Sequence, residues 1–292
     1  MSDPAVQASH LGKAFGTRQV LDDLSFEVAP GDVIGVLGKN GAGKTTLLEL
    51  MLGFTPPTAG TVSVFGQASQ QLSAGNKARV GFVPQQDELI DQLSVADQLK
   101  VIASFYPHWD GEFIDRLCGE WGVNPAARIK SLSVGERQKL SILLAFGHRP
   151  ELLVLDEPVA SLDPMARRQF LEQLVEASMD GNSSVIFSSH IVSDIERLAN
   201  RIWILKDARL AWQGDLDSLK ECVVRLHMRG GAETLEAMKI SGELSRRRDG
   251  DFMTVVVRDF TPAMQADLRG RHGVEFEVES LGLEEIFLEL HR

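Results

Sequence analysis

Apolar positions gather into short, nearly unbroken runs that end on small or charged residues. "GDVIGVLG" (residues 31–38) is a run of Val, Ile and Leu between glycines, the pattern of a strand buried on both faces of a parallel sheet. "ELLVLDEP" (151–158) reads the same way, as does "VIFSSH" (185–190) through Ile186 and Phe187. Other stretches follow the helical period. Thr46 to Leu52 set Leu47, Leu48, Leu50 and Met51 among good helix formers, with Pro56 and Pro57 past the helix end. "LSVGERQKLSILLAF" (132–146) places a serine and a glycine ahead of a helix with Leu140, Ile142, Leu143, Leu144 and Phe146 on it. Residues 93–123 read as two amphipathic helices joined near Pro107. After about residue 216 the pattern changes: "CVVRLHM", "DFMTVVVRDF" and "VEFEVES" alternate apolar and polar residues, separated by the helical "AETLEAMK" and followed by a closing helix, "LGLEEIFLELHR". The layout is an α/β body with a small α+β tail.

Composition narrows the class. A chain of 292 residues suits one large domain and one smaller one, and 43% apolar with 24% charged residues is ordinary for a soluble globular protein. A formal charge of −11 argues against a partner bound by phosphate neutralisation, so no nucleic acid is expected. Cys118 and Cys222 are too few and too far apart for a metal cage or a disulfide framework, which fits a reducing compartment. The start lacks a secretory pattern, and the oily stretches are broken by His148, Arg149, Asp156 and Glu157 before they could cross a bilayer.

The chemistry begins at "GKNGAGKTT" (38–46), set between a buried strand and a helix. Gly38, Gly41 and Gly43 allow turns in which successive N–H groups point inward at an anion, and the helix adds its positive end. Lys44 can reach the β and γ phosphates, and the Thr45 hydroxyl can ligate a bridging magnesium ion. Asp156 and Glu157 stand at the carboxyl end of their strand, the edge where open parallel sheets bind ligands. There Asp156 would hold magnesium and Glu157 would orient or deprotonate the attacking water. Alone, the glycine loop could be a mere connection and the acidic pair a strand cap; together they describe a nucleoside triphosphate site. The start of the 132–146 helix offers a second anion-binding position, or a simple serine cap. One chain has one complete phosphate loop, so an extra position makes sense if it meets a nucleotide held by another subunit.

These residues resemble the ATP-binding cassette (ABC) family of transport ATPases. "GKNGAGKT" is similar to its Walker A loop, "LSVGERQK" to its signature, "LLVLDEP" to its Walker B strand and "SLD" (161–163) to its D-loop. Gln85 resembles the Q-loop glutamine and His190 the switch histidine. The motifs lie in the family's order across about residues 8 to 215. The resemblance implies an α/β P-loop NTPase ABC ATPase fold: a RecA-like core, an antiparallel β subdomain and a helical subdomain (about 87–150) within residues 1–216, then a small C-terminal α+β domain (217–292). It implies ATP and Mg2+ as cofactors, with Glu157, His190 and Gln85 catalytic and Thr45, Gln85 and Asp156 on the metal. Phe15, Gly38, Asn40, Gly41, Gly43, Lys44, Thr45, Thr46, Ser133, Gly135 and Asp163 would contact nucleotide, the last of them and the signature pair from a second copy of the chain.

The implied partners are that second cassette subunit and a separate transmembrane permease, of exporter type, which would hold the chain peripherally on the cytoplasmic face of the membrane. A cassette ATPase without a permease, serving cofactor assembly or regulation, is the alternative. The signature departs from the family's LSGGQ at Val134 and Glu136 while keeping Ser133 and Gly135. Phe15 fits an adenine-stacking platform or a core position in an early strand. Phe105, Tyr106, Trp109 and Trp121 read as helix core or as a permease-docking surface. His10, His108 and His148 carry no partner pattern. "SRRRD" (245–249) reads as a solvated turn, with a lipid headgroup contact as the lesser alternative.

Overall fold

The computed structural model describes residues 3–179, 183–270 and 274–292. The chain forms two units, one running to Gln213 and the other from Gly214 to Arg292.

In the first unit a six-stranded sheet has the order Arg209–Asp215, Arg201–Lys206, Val33–Gly38, Ser184–Ser188, Leu152–Leu155, Val80–Val83. The five strands from Arg201–Lys206 to Val80–Val83 are parallel. Every residue of Val33–Gly38, Leu152–Leu155 and Ser184–Ser188 is buried, which is why those segments read as continuous apolar runs rather than alternating ones. The register pairs Val36 with Ser188 and Leu155 with Phe187, so the loops leaving these three strands emerge at one edge.

An antiparallel sheet in the order Arg18–Val28, Val6–Phe15, Ala59–Val64, Gln67–Ala68 shares its core with the parallel one. Phe26 meets Trp203 with ring centroids 4.4 Å apart, and Leu24, Ile34, Leu47, Leu50 and Met51 fill the space around them. The helix Lys44–Met51 buries Leu47, Leu48, Leu50 and Met51 in this core. Each such side chain contributes about 1.5–3 kcal/mol of transfer free energy, and together they fix the helix axis that the glycine loop serves.

Helices Val95–Ala103, Gly111–Glu120 and Val134–Phe146 make up the helical part. Ser94 and Asp97 form a capping box, and the Asp110 side chain accepts from the Phe113 N–H, so both amphipathic helices start where a polar cap satisfies their first donors. Trp121 is buried and Phe105 is 75% exposed, with Tyr106 and Trp109 partly buried between these extremes. His148 is buried, with Nε2 3.1 Å from the Val80 carbonyl and its ring stacked on Tyr106 at 3.9 Å. Among the described residues no helix is long and apolar enough to cross a membrane.

The second unit carries an antiparallel sheet in the order Glu243–Asp249, Phe252–Val257, Val224–Gly230, Val274–Ser280. Val224, Leu226, Met228, Met253, Val255 and Val257 form its inner face and pack with Leu235, Met238 and Leu268 from its helices. The expected "SRRRD" turn is instead the end of the edge strand Glu243–Asp249, with Arg246 opposite Val255 and Arg248 opposite Met253. Arg246 donates to the carbonyls of Leu235 and Met238 and pairs with Glu243. Charged residues on an edge strand keep other chains from adding to the sheet; a run of them is therefore compatible with a strand as well as a turn.

Candidate functional site

The strand Val33–Gly38 runs into the glycine loop, and the loop into the helix at Lys44. Gly41 and Gly43 have φ of +77° and +103°, in the left-handed region that a side chain disfavours. At Gly43 a Cβ would also lie 2.9 Å from Leu21 Cδ2 and 3.0 Å from the Val20 carbonyl oxygen. The helix start has no side-chain cap and no acidic residue in its first turn, so its first N–H groups and its positive end are left for an external anion. Lys44 is buried, and its Nζ donates to the Gly38 carbonyl at 2.9 Å and lies 3.6 Å from Glu157 Oε1.

Asp156 and Glu157 follow the strand Leu152–Leu155 and are both buried. Ser188, at the end of the neighbouring strand, donates from Oγ to Asp156 Oδ1 at 2.6 Å and accepts the Glu157 N–H at 2.8 Å. Glu157 has φ +50°, a conformation that costs a non-glycine residue about 1–3 kcal/mol. Its carboxylate is fixed on both sides: Oε2 accepts from His190, through Nδ1 at 2.6 Å and the backbone N–H at 3.2 Å, while Oε1 faces Lys44. The backbone strain and the clamp together aim one carboxylate at one place.

These elements enclose an open cavity of about 550 Å³ lined by Phe15, Arg18, Val20, Asn40, Gly41, Gly43, Lys44, Thr45, Thr46, Gln85, Asp156 and Glu157. Ten of the residues singled out in the sequence meet there: Phe15, Asn40, Gly41, Gly43, Lys44, Thr45, Thr46, Gln85, Asp156 and Glu157. Gly38 lies behind the wall and enters through its carbonyl on Lys44. His190 enters through Glu157. Phe15 is not a core residue: it is 53% exposed, at the mouth of the hairpin where it pairs with Arg18, and Lys13 Nζ stands 4.8 Å from its ring centroid. Ser188 and Arg18 were missed by sequence reasoning. Ser188 had a faint signal in its place two residues before His190, but a buried serine in a strand looks like any other; Arg18 had none.

Oxygen donors from Thr45, Gln85 and Asp156 border the cavity, a hard set suited to a small divalent cation. Asp156 is 2% exposed, receives a bond from Ser188 on one oxygen only, and forms no ion pair among the described residues. A buried carboxylate without a cationic partner fits a cation that completes it.

Ser133, Gly135 and Asp163 do not line this cavity. Ser133 caps the helix Val134–Phe146 and is exposed. Its hydroxyl and N–H both donate to Glu136 Oε2, at 2.7 and 2.8 Å, and this bonding to Ser133 holds the Glu136 carboxyl below its usual range. The Ser161 carbonyl oxygen lies 3.0 Å from where a Gly135 Cβ would be, so the signature and D-loop backbones adjoin. Asp163 is exposed and caps the next helix, accepting from Met165 and Ala166; the Ala166 N–H is the main cause of its lowered pKa.

Comparison with known proteins identifies the class. The ABC transporter family model matches residues 21–160. A Nod factor export ATP-binding protein I of Cupriavidus metallidurans is 30% identical over 298 residues, covering 98% of this chain and 96% of that protein. An ABC transporter ATP-binding protein of Bacillus subtilis, YtrB, is 28% identical, covering 97% of each. A solved ATP-binding subunit of an ABC transporter superposes with a TM-score of 0.69 at 26% identity, over 74% of this chain and 92% of that one. The chain belongs to the ATP-binding subunits of ABC transporters, with their α/β P-loop fold and their ATP hydrolase activity.

Proposed function

We propose that the cavity holds ATP with Mg2+ and that Glu157 is the general base of its hydrolysis. The observation that carries this reading is the convergence of buried Lys44, Asp156 and Glu157 on one cavity at an uncapped helix start. Lys44 exchanges the Gly38 carbonyl and Glu157 for the β and γ phosphates, and the N–H groups of Gly41, Gly43 and the first helical residues surround them. Asn40 and Thr46 border the phosphates, and the exposed Phe15 ring takes the adenine face. Thr45, Gln85 and Asp156 would hold Mg2+, which supplies charge neutralisation across the phosphates. Glu157 takes a proton from water as the water oxygen bonds to the γ phosphorus and the bond to the bridging oxygen breaks, leaving ADP and inorganic phosphate. His190 keeps the Glu157 carboxylate in line and stands next to the departing phosphate.

Ser133 and Gly135 act on a second copy of the chain. Neither lines its own cavity, and a helix start presented to solvent is suited to an anion that arrives from outside. Asp163, two residues past the Ser161 carbonyl that adjoins Gly135, connects the two composite sites. Closure by ATP and opening after hydrolysis then change the distance between copies and drive a separate permease. Residues 1–216 are the nucleotide-binding domain and 217–292 an accessory domain. The export function named for the Cupriavidus relative supports an exporter, with this chain peripheral on the cytoplasmic face. Glu157→Gln tests the central role: turnover should fall about 10²–10⁴-fold while equilibrium ATP binding stays. Turnover within a few-fold of the parent would remove Glu157 from the base position.

A further inference from the structure

Gln85 lines the nucleotide cavity just beyond the strand Val80–Val83. Two residues later the Asp87 carboxylate is gripped by Arg137, with Nε at 2.9 and 3.1 Å from its two oxygens and Nη2 at 2.5 Å. Arg137 Nη1 donates onward to Asp91 Oδ1 at 2.7 Å and to the Ile129 carbonyl at 3.3 Å. Both Arg137 and Asp87 have side chains only 21% exposed. Arg137 lies in the first turns of the signature helix, two residues past Gly135, and its N–H closes on the Ser133 carbonyl at 2.9 Å. A cation near a helix N-terminus is disfavoured by the helix dipole, and half-burying a guanidinium costs hydration, so helix electrostatics do not account for this arginine. Its three acceptors, all upstream of the helix, do. A planar guanidinium bound on two nitrogens to one carboxylate resists rotation in a way a lysine would not.

We infer that Arg137 is a positioning residue that ties the Gln85 loop to the signature helix, so that where Gln85 stands against the nucleotide of its own copy sets where Ser133 is offered to the other. The inference rests on the roles proposed above for Gln85 and Ser133. The connection runs from cavity wall to exposed loop: along the chain from Gln85 to Asp87, through the ion pair to Arg137, and by the Arg137 N–H to the Ser133 carbonyl. Such a strut matters only if the loop moves with nucleotide, and its effect should then appear in closure and turnover, not in nucleotide affinity.

The test uses the full chain with Arg137→Met, Asp87→Asn, the double variant, and Arg137→Lys, each alone and in a Glu157→Gln background. Four readouts are taken: affinity for a fluorescent ATP analogue, kcat and KM, ATP-driven dimerisation of the Glu157→Gln forms, and thermal midpoint. Affinity and KM should stay within about two-fold, while kcat and dimerisation constant fall about ten-fold in each single variant. The double variant should be no worse than either single, because the pair acts as one, and Arg137→Lys should recover part of the loss. Unchanged kcat and dimerisation, additive losses in the double variant, or a loss matching only the unfolded fraction at the assay temperature would each overturn the inference. If the Glu157→Gln parent itself fails to dimerise, the proposed two-copy reading falls; if the parent dimerises and Arg137→Met does so equally, only the strut falls.

Discussion

Two helices of this chain carry a glycine at their start, Gly43 as the N-cap before Lys44 and Gly135 in the first turn after Ser133, and they treat their first N–H groups in opposite ways. At Lys44 the N-cap is a left-handed glycine without a side-chain bond or a first-turn acid, and the start faces a walled cavity holding a buried lysine and two buried carboxylates. At Val134 the N-cap is Ser133 in a complete capping box with Glu136, and the start faces solvent. A capping box satisfies donors that have nothing else to hold; an omitted cap reserves them. The first start is therefore organised before its ligand arrives. On the two-copy reading proposed above, the second would exchange the Glu136 carboxylate for an external phosphate, so that engagement of the second copy is the step with an internal competitor.

Breaking the organised start should have the largest effect. On the proposed reading Lys44→Ala removes a charge-assisted phosphate contact of about 2–3 kcal/mol, so ATP affinity should fall about 30- to 150-fold by titration. Affinity within two-fold of the parent would mean that the cavity does not grip phosphate through this residue.

The far end of the signature helix supplies a stability test. Burial pushes His148 down to about 4 from 6.5, its neutral Nε2–H donating to the Val80 carbonyl. Because the native pKa is the lower one, the unfolded chain takes up a proton between pH 6.5 and 4 that the native chain refuses, and stability is lost as pH falls through that window. From pH 7 to 5 the loss should be about 2 kcal/mol, read from denaturant midpoints. His148→Gln should remove most of this slope; an unchanged slope would assign the acid sensitivity to another group.

Releasing the second start should have the smallest effect, and in the opposite direction. Glu136→Gln removes a negative charge 2.7 Å from the Ser133 hydroxyl that an incoming phosphate would face. ATP-driven association should tighten about five-fold, the scale of one Coulomb contact near 4 Å in water, with the gain shrinking at high salt. Weaker association would mean that Glu136 helps to receive the partner's nucleotide.

How legible each start was follows from the range of its interactions. The phosphate loop is local: glycines, lysine and threonines act within nine consecutive residues, so spacing alone revealed it. Asp156 and Glu157 were legible because a parallel sheet sends its loops to one edge whatever the side-chain detail. The strained φ of Glu157 and its clamp by Ser188 and His190 were not, since they need two strands side by side, 31 and 33 residues apart in sequence. Arg137 and Asp87, 50 residues apart, sit in segments whose charges look like solvated helix and loop. "SRRRD" was misread because charge reports exposure and not backbone conformation; pairing with Phe252–Val257 makes it an edge strand.

The most direct measurement is the solution mass, by light scattering, of the Glu157→Gln chain with and without Mg2+ and ATP. The account predicts a monomer without nucleotide and twice the chain mass with it, reverting when Ser133→Arg is added. A Glu157→Gln chain that binds ATP and stays monomeric at high protein concentration would contradict it.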